Sequence, residues 1–219
     1  MSTGGDTFKD GNIISMQGRP ARAQQIDRIE HYWNTVRGNR LVPSRCEIDP
    51  RGMEGLLGHA FILERIAGGL ARFRIAGSHL SELSGLELRQ MPLSALVLPG
   101  SRELLSDALT AVFDEPSVVR MDIASPSGIG RGQLHGELIL LPLRSDLGDV
   151  DRVLGGIVLE GKIGRQPRRI DILSQTRRSL TGFAGAAPVA VQQAGLDTHA
   201  PNTNRNPTHG HLRLVVSND

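Results

Sequence analysis

The sequence predicts a mixed α+β domain built on an antiparallel sheet. The order of patterns carries that prediction: one amphipathic helix, two apolar strands joined through Gly68 and Gly69, a block of helices, and three further period-two segments. Runs of strands separated by a single helical block favour α+β over the strict strand–helix alternation of a parallel sheet. The chain length of 219 residues accommodates one core plus extensions.

Residues 1–20 are polar, contain glycine and close on Pro20, which reads as a flexible leader. Over 21–37, Ile26, Ile29, Trp33 and Val36 recur at three and four residues, one face of a helix, and Gly38 is its natural stop. The stretch NRLVPSRCEIDPRG is turn-rich, and Asp49-Pro50 is a good start for a short helix over 51–57. Segments 59–66 and 70–76 then read as a hairpin. Strand alternation puts Phe73 and Ile75 on one face and Arg72 and Arg74 on the other. Gly77 lets the chain swerve, Ser78 can cap the helix that follows, and Leu80, Leu83 and Leu86 lie along one side of it.

Short helices are expected over 78–84 and 92–96. A longer one over 101–113 carries Leu104, Leu105, Ala108, Leu109, Val112 and Phe113 on one apolar face. After Pro116, Val119, Met121 and Ile123 oppose Arg120 and Asp122, and two more strands fall in GQLHGELILLPL and VDRVLGGIVLEG. The core domain is therefore placed at 21–163. In the extension, 164–219, Ile170, Leu173, Leu180 and Phe183 are spaced roughly as on a helix among Arg165, Arg168, Arg169, Arg177 and Arg178. A basic amphipathic helix is expected there, with a disordered remainder in which HLRLVV could pair as a strand.

The formal net charge is only +2, too small for the field of an obligate nucleic-acid coat. Lys9 and Lys162 are the only lysines, a bias better explained by base composition than by selection for phosphate forks. Cys46 is the only cysteine, which excludes an intrachain disulfide and fits a reducing, cytoplasmic setting. Neither a signal peptide nor an apolar stretch of membrane-spanning length is present.

The string HYWNTVRGNRLVPSRCEIDP, followed by LLGHAFILERI, ARFRIAGSHL and GLELRQMPLSAL, resembles the PAS family found as stand-alone proteins in alphaproteobacteria. The likeness covers roughly residues 30–160. Its most specific parts are the Tyr-Trp pair before a basic, proline-containing linker and the Arg-Ile-Ala-Gly-Ser block after the hairpin. The resemblance implies a five-stranded antiparallel sheet roofed on its concave face by the helices between the second and third strands, often over a small ligand pocket. It also implies that the outer face, with Arg72 and Arg74, is covered by a flanking element, for which the helix carrying Trp33 is the candidate.

Chemistry-bearing motifs are few. The GIGRG run at 128–132 precedes a strand and opens no helix, so it reads as a connecting loop and not a phosphate cradle. His31, His59, His79 and His135 lack metal-ligand spacing. The resemblance brings two cofactors into question. The haem ligand of such proteins usually lies on the helix before the third strand, and SRELLSDALTAVF has no histidine; Cys46 lies upstream of the first strand, out of place for covalent flavin chemistry. Ser78, His79 and Glu82 are near neighbours on a helix and point apart, so no catalytic role is expected.

The inward apolar set Phe73, Ile75, Leu80, Leu83, Met91, Leu96, Val119, Met121 and Ile123, with Ser78 and, if it turns inward, Arg74 as polar groups, is the candidate ligand-binding set. A small domain needs most of these residues simply for burial. Three functions remain. The first is a sensory or regulatory protein that binds an unidentified small molecule and alters its contact with itself or a signalling partner. The second is a non-sensing scaffold that dimerises or docks through Trp33, Arg168, Arg169, Arg177 and Arg178. The third is nucleic-acid or anionic-membrane binding through the basic segment.

Overall fold

Helix α1 (Ala21–Arg37) buries Ala23, Ile26, Ile29 and Trp33, the stripe its spacing dictates. The computed structural model describes residues 21–181 and 191–192, so the expected leader, Phe183 and HLRLVV lie outside the described residues. The chain continues through β1 (Ala60–Ala67), β2 (Leu70–Ala76), α2 (Ser78–Ser84), α3 (Arg102–Asp114), β3 (Ser117–Ser125), β4 (Leu134–Arg144), β5 (Val150–Glu160), β6 (Asp171–Ser179) and the two-residue β7 (Val191–Gln192). Short 3-10 turns occupy Pro50–Met53, where a helix over 51–57 was expected, and Leu93–Ala95 within the expected 92–96 helix.

One antiparallel sheet organises these elements, in the order β2-β1-β5-β4-β3-β6-β7. Its first five strands are the expected sheet, and β6 and β7 extend it. The core thus runs past the boundary expected at residue 163, because β6 pairs with β3 from Ser117 opposite Ser179 to Ala124 opposite Asp171. The expected basic helix over this stretch is corrected to a strand. A bulge causes the misleading spacing: Asp122 faces Ser174 while Ile123 faces Ile172, leaving Leu173 as an extra, exposed residue. Ile170 and Ile172 point inward two residues apart, as a strand requires.

A second bulge corrects Ile75. Ile62 pairs with Ile75 and Leu63 with Phe73, so Arg74 is the inserted residue and parity flips beyond it. Phe73 is fully buried, packed edge-on to Phe61 at 5.5 Å between ring centroids, whereas Ile75 is 52% exposed beside Ile62.

Each sheet face carries its own core. On one side α2, α3 and the 86–98 connection cover Phe61, Leu63, Phe73, Leu138, Leu140 and Ile157. On the other, α1 covers Ile62, Ile139, Leu141 and Leu154. Two adjacent glycines on β5 make this double packing fit: a Cβ on Gly155 would strike the Phe61 ring at 2.1 Å, and one on Gly156 would meet Ile29 of α1 at 2.5 Å.

The Tyr-Trp pair ties α1 to the rest of the chain. The Trp33 Nε1–H donates to the Pro142 carbonyl at 2.9 Å, satisfying its one polar atom in the core. The Tyr32 hydroxyl donates to the Asp49 carbonyl at 2.9 Å and accepts from the Asp49 N–H at 2.8 Å, fixing the linker.

Candidate functional site

Most of the candidate ligand set lies in the inner core. Phe73, Leu96, Val119, Met121 and Ile123 are buried in the inner core, with Met91 partly buried against it. Such burial is what a packed core gives these residues. Ser78 is exposed; Gly77 takes the cap position of α2, and no side-chain cap bond forms. Gly77 itself has an ordinary φ of −71°, and its role is close approach, since a Cβ there would lie 2.2 Å from the Leu57 carbonyl oxygen. Arg74 does not turn inward: it lies 3.3 Å from Glu64, which also holds Arg72 and Arg152.

Leu80 and Leu83 do reach a cleft, of about 200 Å³, at the margin of the inner core between α2 and β5. Ile157, Leu159 and Ile163 give it further apolar wall, and His59, His79 and Glu82 give it a polar side. Its shape follows from local structure. The His79 N–H donates to the Gly58 carbonyl and the Gly77 N–H to the Ala60 carbonyl, which clamps the start of α2 onto the start of β1. The His59 and His79 rings are thereby stacked 4.1 Å apart at 38°.

Each imidazole is oriented by its Nδ1. That of His59 lies 3.2 Å from the Ile157 carbonyl oxygen and so carries the proton, and that of His79 lies 3.3 Å from the Glu82 carboxylate. Neither Nε2 atom has a hydrogen-bond partner among the described residues. Burial, reinforced by the neighbouring His79, pushes the His59 pKa down and favours its neutral form. A hydrogen-bonding end and an aliphatic wall suit a small molecule that is partly apolar. Sequence reasoning found Leu80 and Leu83 but missed His59, because no spacing in the chain announces a contact between a turn and a helix twenty residues on.

The expected interaction residues are distributed differently. Trp33 lies wholly within the outer core and offers no docking surface, and Arg168 is 1% exposed. Arg177 bonds Glu115 and the Ser117 hydroxyl, and Arg178 bonds Glu30 of α1 at 2.6 Å. Only Arg169 of the five is both exposed and without an ion pair among the described residues. Likewise among the described residues, no group of three His, Cys, Asp or Glu side chains is placed to hold a metal, and no helix is long and apolar enough to cross a membrane.

An antiparallel sheet ordered β2-β1-β5-β4-β3, with its helical block between the second and third strands roofing one face, defines an α+β module with a marginal cleft. A PAS-domain family model matches residues 21–158, and the chain belongs to the PAS-domain family. No curated protein and no solved structure matches the chain.

Proposed function

We propose that this chain is a cytoplasmic sensory PAS protein that binds a small molecule in the α2–β5 cleft and signals by changing its contact with a partner, with no catalytic output of its own. The observation that carries the reading is the cleft itself: an aliphatic wall from Leu80, Leu83 and Ile157 facing two stacked imidazoles whose Nε2 atoms have no partner among the described residues. Its volume is below the ~300–1,000 Å³ of sites for drug-sized ligands, which restricts the occupant to a small metabolite. Because α2 is clamped to the start of β1, an occupant that moves α2 also moves the sheet edge at β2. The exposed thiol of Cys46 fits a reducing compartment.

Thermal melting of the full chain against a panel of small metabolites tests this. At least one compound should raise the melting temperature, and L83W, which fills the cleft, should lose that response. The packed inner core favours a second reading, a scaffold that binds a protein partner and no ligand. A uniformly flat panel with both proteins would support the scaffold and remove the sensor.

A further inference from the structure

We infer that a second cleft, between the β3–β4 loop and the strap formed by residues 161–170, binds a small phosphate ester, with Arg131 and Arg169 as its two forks. This goes beyond the sensory reading and does not depend on what occupies the α2–β5 cleft. The cleft measures about 250 Å³ and is lined by Leu98, Ser125, Pro126, Arg131, Pro167 and Arg169.

Charge is the first reason. Segments 126–133 and 161–170 contain Arg131, Lys162, Arg165, Arg168 and Arg169 and no aspartate or glutamate. On the outer face and at the β1–β2 edge, by contrast, carboxylates are shared among several arginines: Glu64 serves Arg72, Arg74 and Arg152, and Glu30 serves Arg120 and Arg178. Among the described residues none of these five cations, of which Arg131 and Arg169 line the cleft, has a carboxylate within ion-pair reach, and Asp171, next along the strap, accepts from the Ser101 hydroxyl instead.

Burial is the second. The Arg168 guanidinium is sequestered among the carbonyls of Ile163, Ser125, Pro126 and Gly132 and the Ser125 hydroxyl. These are dipoles and not counter-charges, so a buried cation stands beside the Arg131 charge with nothing negative between them. Burial and that neighbour together lower the Arg168 pKa. An anion seated between Arg131 and Arg169 relieves the repulsion.

Preorganisation is the third. Gly128 and Arg131 exchange backbone hydrogen bonds at 3.0 and 3.1 Å, and the Arg165 N–H donates to the Gly130 carbonyl. Arg131 spends one Nη1–H on the Pro167 carbonyl at 3.0 Å, which aims its remaining donors. The Ser125 hydroxyl accepts from Arg168 Nε and keeps its own proton to donate. Guanidinium forks from two directions match an oxyanion, and the apolar walls from Leu98, Pro126 and Pro167 match an organic group attached to it.

The test follows arginine Nε–Hε signals of the full chain by NMR at constant ionic strength, during titration with phenyl phosphate, inorganic phosphate or malonate. Phenyl phosphate should shift Arg131 and Arg169 saturably and bind more tightly than either other anion. R169Q, which surrenders no side-chain hydrogen bond among the described residues, should weaken binding about tenfold, the loss of one charge-assisted contact. The exposed control R51Q should change nothing. Shifts spread evenly over exposed arginines, malonate or inorganic phosphate binding as tightly as the ester, or R169Q binding like the parent would each overturn the inference. R131Q also loses the Pro167 bond, so R169Q is the deciding variant.

Discussion

Arginines do opposite work on the two sides of the sheet. On the outer face, Arg120 reaches Asp27 at 2.7 Å and Glu30 at 2.5 Å, and Arg178 reaches Glu30, so α1 is latched to β3 and β6 by matched charges. At the strap, Arg168 is more deeply buried and has only carbonyls and one hydroxyl around it. The outer-face pairs sit partly in solvent, where each ion pair is screened and modest. A buried guanidinium satisfied by five acceptors is instead structural, because removing it strands every acceptor at once. Matched arginine therefore fastens a surface helix, and unmatched arginine builds a wall and leaves its neighbours free for an anion.

The comparison breaks first at Arg168. R168A should cost about 3–5 kcal/mol in urea unfolding, since several carbonyls lose their donor away from water. A loss under about 1 kcal/mol would mean that water replaces the guanidinium and that the strap is no more than a surface loop. E30Q should cost less, about 1–2 kcal/mol, because it weakens two partly exposed partners while the packing of Ile26, Ile29 and Trp33 keeps α1 in place. If E30Q proves the more damaging, charge and not apolar packing holds α1.

Acid titration sharpens the contrast further. For His59 the folded pKa lies below its ordinary value, so the unfolded chain binds more protons between the two. Its share of stability is complete above about pH 6.5 and falls as pH drops through that range toward the folded value. Burial alone would raise the Glu64 pKa, but the Arg72 hydrogen bond and the charges of Arg152, Arg74 and Arg72 outweigh it and hold the carboxyl low. Its share is present above the ordinary carboxylate range and is lost only as pH falls through the lower folded value. Unfolding free energy measured against pH should thus decline in two steps, and H79A should shrink the upper one, because the neighbouring imidazole helps to hold the His59 pKa down. An undiminished upper step in H79A would show that the ring stack plays no part.

Most of the architecture was legible because hydrophobic period reports which face an element buries. Helix α1, β1 and α3 follow their apolar spacing closely, and α2 does so at Leu80 and Leu83, whereas Leu86 falls past its end and is exposed. Two of the failures share one cause. Arg74 and Leu173 are bulge residues, and each shifts parity by one, so Ile75 looked buried and a strand from Asp171 onward looked helical. Nothing in single-residue pattern distinguishes an inserted residue from a change of period. The glycine pair at 155–156 was visible, but its meaning depends on Phe61 and Ile29 arriving from distant elements. The candidate clefts were less legible still: Leu80 and Leu83 were found by their spacing, whereas the His59–His79 stack and the cleft lined by Arg131 and Arg169 arise where separate segments meet.

Native mass spectrometry of the full chain isolated from its own cells tests the sensory assignment most directly. The account predicts a small molecule retained at one per chain in the parent protein and absent from L83W, whose circular dichroism stays unchanged. A parent chain that flies at its bare polypeptide mass, preparation after preparation, would contradict it.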